Sequence, residues 1–327
     1  MTAPVFGAEA SAIFPRPGHW QYGISWRYQK SHRHFVGAEE QEERAEESSE
    51  VINTLNLAEL QARYDLGERT WVAVAVPFLM AERSSPIRDP QREVVGRYTH
   101  QARGLGDIIV SGRRWMLDPL AHSRANFALG LGLKLPTGQD NVTDTRLQLV
   151  NGQLVSDVVT VDQSIQPGDG GFGALVDLAG FAGLGGRFNL YYGASYLVNP
   201  EATNGVRTYR SRPSEAEMSI ADQYLATIGV STSLPGDTGL GIWLGGRLEG
   251  VAADDLLGSS RGFRRPGYAV SVEPGLSYGR GAHAIALAVP IAIYRNRVRS
   301  YSDRLDGRHG DAAFADYLVQ VNYTLRR

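Results

Sequence analysis

The chain ends in "AFADYLVQVNYTLRR", residues 313–327. Tyr317, Val319, Val321, Tyr323 and Leu325 are apolar or aromatic. Asp316, Gln320, Asn322, Thr324 and Arg326 between them are polar, with Leu318 the exception. Successive side chains of a strand point to opposite faces, so a period of two describes a ribbon with one greasy face and one wet face.

The same period recurs upstream. Trp20, Tyr22, Ile24, Trp26 and Tyr28 alternate with polar residues and glycine. So do Ala58, Leu60, Ala62 and Tyr64, and likewise Phe127, Leu129, Leu131, Leu133 and Leu135. Phe188 to Val198 and Tyr268 to Tyr278 repeat it. Gly, Pro or Asp mark tight turns at 65–69, 118–123, 183–186, 235–239 and 279–282. Long polar stretches lie between them, near 32–50, 82–104, 136–169, 200–216, 252–266 and 298–312. Short and long connections take turns, which predicts an even count of about twelve strands of roughly 10–16 residues.

Strands of a soluble sandwich run about 5–6 residues, whereas a tilted strand needs roughly 9–11 to cross a bilayer. Aromatics mark many strand ends, among them Trp20, Tyr64, Trp71, Trp115, Tyr192, Tyr268 and Tyr317, as expected of rings gathered at the two membrane–water boundaries. Charges stand at mid-strand on the polar faces, at Glu59, Arg63, Lys134, Asp177, Arg247 and Glu273. In hydrocarbon every backbone N–H must be paired within the protein, so a sheet can span only by closing on itself. The expected fold is all-β, a transmembrane antiparallel up-and-down β-barrel of about twelve strands. Its last strand pairs with its first, so the C-terminal segment must be a complete lipid-facing strand.

Composition narrows the rest. The 327 residues are 43% hydrophobic, carry a formal net charge of -2 and contain no cysteine. Disulfides, thiol chemistry and a general affinity for nucleic acid are excluded. The longest uncharged apolar runs, near 71–81 and 284–294, are about half of the roughly 20 residues that a helix needs to cross a bilayer. Residues 1–17 have neither a basic nor an apolar signal region, and read as a periplasmic segment or partial plug ahead of a single barrel, 18–327.

The C-terminal strand resembles the segment read by the barrel-assembly machinery, except that Arg326 and Arg327 follow the last apolar residue. "GLGDIIVSGRRWML" (104–117), "FALGLGLKLPTG" (127–138) and "QPGDGGFGALVDLAGF" (166–181) resemble the transporter family named for a phenol-degradation pathway. That resemblance implies an outer-membrane barrel admitting small, often hydrophobic or aromatic compounds.

Other motifs take plainer readings. The glycines of 103–108 and 168–173 lack the strand–helix context of a phosphate loop and fit tight packing or a bulge. His32 and His34 share a spacing that could hold a metal, but no third ligand is obvious, although Glu39 and Glu40 follow, and a solvated loop is the plainer reading. The acidic run 39–50 reads as a solvated extracellular loop. The seven histidines fall at strand ends, in turns or in loops by this assignment, so neither a catalytic pair nor a cofactor or metal site is expected.

The candidate pore-lining residues are Arg27, Glu59, Gln61, Arg63, Asp65, Asp107, Arg113, Lys134, Asp177, Asn189, Arg247, Glu249, Glu273, Asp316, Gln320 and Asn322. Arg27, Arg63, Arg113 and Arg247 are expected to pair with Glu59, Asp65, Asp107, Glu249 or Glu273, since arginine holds fixed, forked contacts with carboxylates. Arg114 falls on the lipid face unless a bulge shifts the register of its strand or it lies near an interface. A lumen of about twelve strands is narrow. It would pass small solutes, or be blocked by 136–169 or by 1–17. The expected function is a passive outer-membrane channel for a small solute. The expected surroundings are outer-membrane lipid, lipopolysaccharide and, during insertion, the assembly machinery. A plugged barrel serving as a surface scaffold through its loops is the alternative.

Overall fold

The computed structural model describes residues 14–236 and 238–327. Its wall runs β1 Trp20–Val36, β2 Ile52–Asp65, β3 Thr70–Arg88, then β4 in two pieces, Val94–Leu105 and Ile108–Trp115. It continues through β5 Ala125–Leu135, β6 Gly173–Gly185, β7 Phe188–Val198, β8 Gln223–Ser233, β9 Leu240–Val251 and β10 Gly267–Arg280. β11 is again in two pieces, His283–Ala288 and Ile291–Asn296, and β12 is Ala312–Arg326. Each strand pairs antiparallel with the next, and β12 pairs with β1 from Gln21↔Arg326 to Phe35↔Ala312. The result is a closed twelve-stranded antiparallel barrel.

Closure sorts the alternating residues. Leu60 (59% exposed), Leu131 (70%), Ile228 (58%) and Leu244 (58%) stand on the outer face, in a belt that passes round every part of the wall. A water-soluble chain does not leave so continuous an apolar surface uncovered, whereas lipid covers it at no cost. The barrel is therefore that of an outer-membrane protein.

One long connection of the sequence reading is a strand hairpin instead. β3 continues to Arg88 and β4 begins at Val94, so 82–104 is paired ladder with a short turn at its tip. Above the membrane the outward residues become polar, as with Glu82 and Gln101, which bond each other at 3.0 Å. The alternation disappears from the sequence while the ladder goes on. The hairpin also places His100 on a strand, buried, and His34 lies within β1, likewise buried. This corrects the assignment of every histidine to strand ends, turns and loops.

The break in β4 is a bulge. Phe78 pairs with Leu105 and Ala75 with Ile109, so β4 holds one residue more than β3 over that interval. The extra residue turns Arg113 inward. Arg114 points outward at the start of β3, where Nη1 donates to the Thr70 hydroxyl at 3.4 Å. In β11 the break falls at Val289 and Pro290, the latter having no N–H to donate.

The three glycine-rich motifs meet at the β4 bulge. Asp107 accepts from the amides of Gly138 (2.9 Å) and Asp169 (3.0 Å), and Thr137 Oγ1 accepts from the Ile108 amide at 2.9 Å. A Cβ on Gly138 or Gly168 would collide with the other's backbone, so only glycine lets these two loop ends lie against the broken strand.

Candidate functional site: the lumen and its two ends

Charged residues face inward round much of the wall. One arc of them lies on β9, β10, β12 and β1. Arg27 Nη2 reaches Glu249 Oε1 at 3.0 Å, a chord across the interior, since β1 and β9 are separated in the wall by β10, β11 and β12. Glu249 Oε2 accepts from Arg247 at 2.7 Å, and Arg247 Nη1 also donates to Glu273 (3.2 Å) and Gln320 (3.4 Å). Burying the Arg247 guanidinium is tolerable only because two carboxylates surround it.

On the facing arc apolar residues stand among charged and polar ones. Leu79, Ala81 and Ala102 lie inward on β3 and β4, and Leu175, Leu197 and Leu225 on β6, β7 and β8. Arg113 of β4 joins Asp177 of β6 at 2.9 Å over Gly130 of β5, where a Cβ would occupy the carboxylate's place. Lys134 holds Asp169, with Nζ to Oδ1 at 2.5 Å.

At the extracellular end the loops pack on one another and on the wall. Between β5 and β6 the chain forms the hairpin Thr143–Val150 with Gln153–Thr160, then dips inward. Val161 and Ile165 pack, fully buried, on Leu79, Ala81 and Ala102. Asp162, between them, is the hub. Arg265 from the β9–β10 loop grips it with both nitrogens at 2.6 and 2.7 Å. Tyr209 from the β7–β8 loop donates to it at 3.1 Å, and Arg83 of β3 stands 3.5 Å away. Burial pushes the Asp162 carboxyl up, but Arg265 and Arg83 outweigh that and hold it well below the ordinary carboxylate range. The β11–β12 loop joins the cap through the Ser302 hydroxyl, whose one proton is shared between the carbonyls of Ser214 (2.7 Å) and Gly262 (3.0 Å).

At the periplasmic end rings gather on one side of the wall, from β3 to β6. Trp71 (β3), Trp115 (β4) and Phe181 (β6) form a buried inward cluster with Ala128 (β5), and Phe14 packs against it. This corrects the placing of Trp71 and Trp115 in the boundary girdle. Val72 faces lipid, so its neighbour Trp71 must face the lumen. Arg63, held by Asp65 at 2.7 Å, lays its guanidinium over Trp71 at 4.2 Å.

The sequence-predicted residues thus separate into groups. Arg27, Arg247, Glu249, Glu273 and Gln320 are one network. Arg63 and Asp65 lie at the periplasmic end, and Gln61 donates to Glu59 at 2.5 Å. Arg113 takes Asp177 and none of its expected partners. Asp107 is engaged by loop amides, and Asp316 bonds Arg33 and Arg295, each at 2.8 Å. Asn189 and Asn322 face inward, opposite Ser231 and Ser25. His34 is tied to Asp311 at 2.6 Å and accepts from the Val51 amide at 2.8 Å. The burden on Asp162, Arg83, Arg265 and Phe14 left no signal in the sequence, because their partners are distant in the chain. For Trp71 and Trp115 the parity of β3 was the available signal.

No protein-family model matches the chain, and no curated protein matches it in sequence. Solved structures do match in fold. The COG4313 outer membrane channel from Pseudomonas putida F1 aligns with a TM-score of 0.63 at 10% identity, over 95% of this chain and 96% of that one. The β domain of the Bordetella autotransporter BrkA aligns with a TM-score of 0.52 at 12% identity, over 94% and 99%. Identities this low carry the outer-membrane barrel fold and nothing finer.

Proposed function

We propose that the chain is a passive outer-membrane channel for small hydrophobic or aromatic solutes. The observation that carries this reading is an interior whose charges neutralise one another and leave apolar stretches between them. Leu175, Leu197 and Leu225 stand among inward charges that pair with one another, so a greasy solute finds apolar wall to follow without stripping water from unpaired charge. The solute class is that implied by the Gly-Leu-Gly-Asp and Lys-Leu-Pro-Thr-Gly motifs, and it is the class named for the family they resemble. The surrounding lipid, lipopolysaccharide and assembly machinery belong to the same reading. Nothing in the proposal requires a cofactor, a metal or catalysis.

The test is flux. Vesicles with lipopolysaccharide in the outer leaflet and the full chain inserted should take up toluene and phenol faster than protein-free vesicles. Planar bilayers should register current that changes in Arg63→Ala. Uptake equal to that of empty vesicles for both solutes, with no current at any voltage, overturns the reading.

A further inference from the structure

The rings at the periplasmic end are more than packing. Trp115 and Phe181 stand edge-on to each other, centroids 5.7 Å apart at 78°. Phe14 completes the group, 5.3 Å from Trp115 at 70° and 6.0 Å from Phe181 at 58°. These are the separations and tilts that aromatic rings prefer. Three of the rings belong to the wall. The fourth belongs to the segment ahead of β1, which is tied to the barrel by the Arg16 amide on Asp65 Oδ2 (2.8 Å) and the Gly18 amide on the Asp65 carbonyl (2.9 Å). Withdrawing Phe14 breaks no ladder hydrogen bond.

A second, independent observation concerns Trp115. It is 2% exposed, and its indole N–H has no hydrogen-bond partner among the described residues. Buried N–H groups are nearly always paired. Packing alone is served equally well by phenylalanine, which has no N–H to strand. A bare hydrocarbon ring in Phe14's place would leave that N–H unpaired. A ring bearing an oxygen could accept from it.

We propose that Trp71, Trp115 and Phe181 form a binding site for a monocyclic aromatic compound carrying a hydrogen-bond-accepting oxygen, and that Phe14 is its resident competitor. The solute's ring takes the place of Phe14, and its oxygen accepts from Trp115 Nε1. The site deepens the channel reading by naming a solute class and rests on that reading for its purpose, but binding is measurable without flux.

The experiment titrates the detergent-solubilised full chain with phenol, toluene and cyclohexanol and follows tryptophan fluorescence. Phenol supplies ring and oxygen, toluene the ring alone, and cyclohexanol the oxygen alone. Phenol should bind saturably and tighter than either. Phe14→Ala should tighten phenol binding about tenfold, as expected when an occupant fills a site roughly nine-tenths of the time. Trp115→Phe should keep toluene binding and abolish the preference for phenol. The shift in gel mobility on heating reports that each variant is a folded barrel. Equal affinity for phenol and cyclohexanol, an unchanged affinity in Phe14→Ala, or a phenol preference that survives Trp115→Phe overturns the site. Flux measured on the same preparations separates the two readings. Flux without saturable binding sinks the site and leaves the channel; binding without flux does the reverse.

Discussion

The two ends of the barrel are held by different physics. At the extracellular end a buried carboxylate, Asp162, is held by Arg265, Arg83 and Tyr209, which arrive from separate parts of the chain. At the periplasmic end Phe14 lies against Trp115 and Phe181. A buried ion pair resists partial breakage, because losing one partner leaves the other charged and dry. Ring contacts are worth about 0.5–1.5 kcal/mol a pair beyond the area they bury, and one ring replaces another with little loss. The lesson is that the extracellular cap is a fixed part of the fold and the periplasmic ring a replaceable one.

The most severe way to break this contrast is Asp162→Ala. It strands Arg265 and Arg83 in a buried place and should cost about 3–5 kcal/mol of cap stability. The wall, with its ladders intact, should stay folded. Limited proteolysis should then cut within 161–166, while the heat-dependent gel shift of the barrel persists. If those residues remain resistant, Asp162 is not what holds the cap.

Next in size is Gly130→Ala. The new Cβ would fall where the Asp177 carboxylate now lies, and the Arg113–Asp177 pair would have to move. Overpacking of this kind costs typically 1–3 kcal/mol. The loss should appear in the unfolding temperature of the barrel and not in protease cutting at 161–166. A wall defect near the periplasmic side would thereby be separated from a defect of the cap.

These predictions also mark where sequence was informative. The belt was legible because Leu129, Leu131 and Leu133 alternate with glycine and nothing interrupts them. The hairpin 82–104 was not, because once Glu82 and Gln101 replace apolar residues on the outer face both faces read as polar. Arg27 and Glu249 were legible as inward charges, but not their pairing across the lumen, which depends on the curvature of the closed sheet. The cap was invisible for a related reason. Asp162 and Arg265 are 103 residues apart, and no local pattern announces a bond between two loops. Trp71 was legible as a strand-end aromatic, and only the parity of Val72 decides whether such a ring meets lipid or lumen.

A third test uses acid and reads the cap alone. Asp162 sits well below the ordinary carboxylate value: burial raises it, and Arg265, then Arg83, lower it further than burial lifts it. A depressed folded value means the pair stabilises fully above the unfolded value of about 3.9, and that this contribution drains as pH falls through the folded value. The cap should therefore be indifferent between pH 7 and pH 5 and loosen below the ordinary carboxylate range. Pepsin should cut 161–166 progressively as the pH drops from 4 to 2. In Asp162→Asn the cutting should already be complete at pH 4. A wild-type cap that loosens between pH 7 and pH 5 would point to a group other than Asp162.

The smallest effect is the most diagnostic of the periplasmic end. Phe14→Ala removes one ring from the cluster but no ladder bond and no charge. Phe14 is only partly buried, so the loss should fall well below the roughly 3–5 kcal/mol of a fully buried Phe→Ala change, to about 1 kcal/mol, and the unfolding temperature should barely move. Near-ultraviolet circular dichroism should nonetheless change, because Trp115 loses its edge-on neighbour at 5.3 Å. A spectral change with a nearly constant unfolding temperature is the signature of a replaceable ring. A fall in unfolding temperature as large as that of Gly130→Ala would make Phe14 part of the wall's own packing, and the contrast between the two ends would fail.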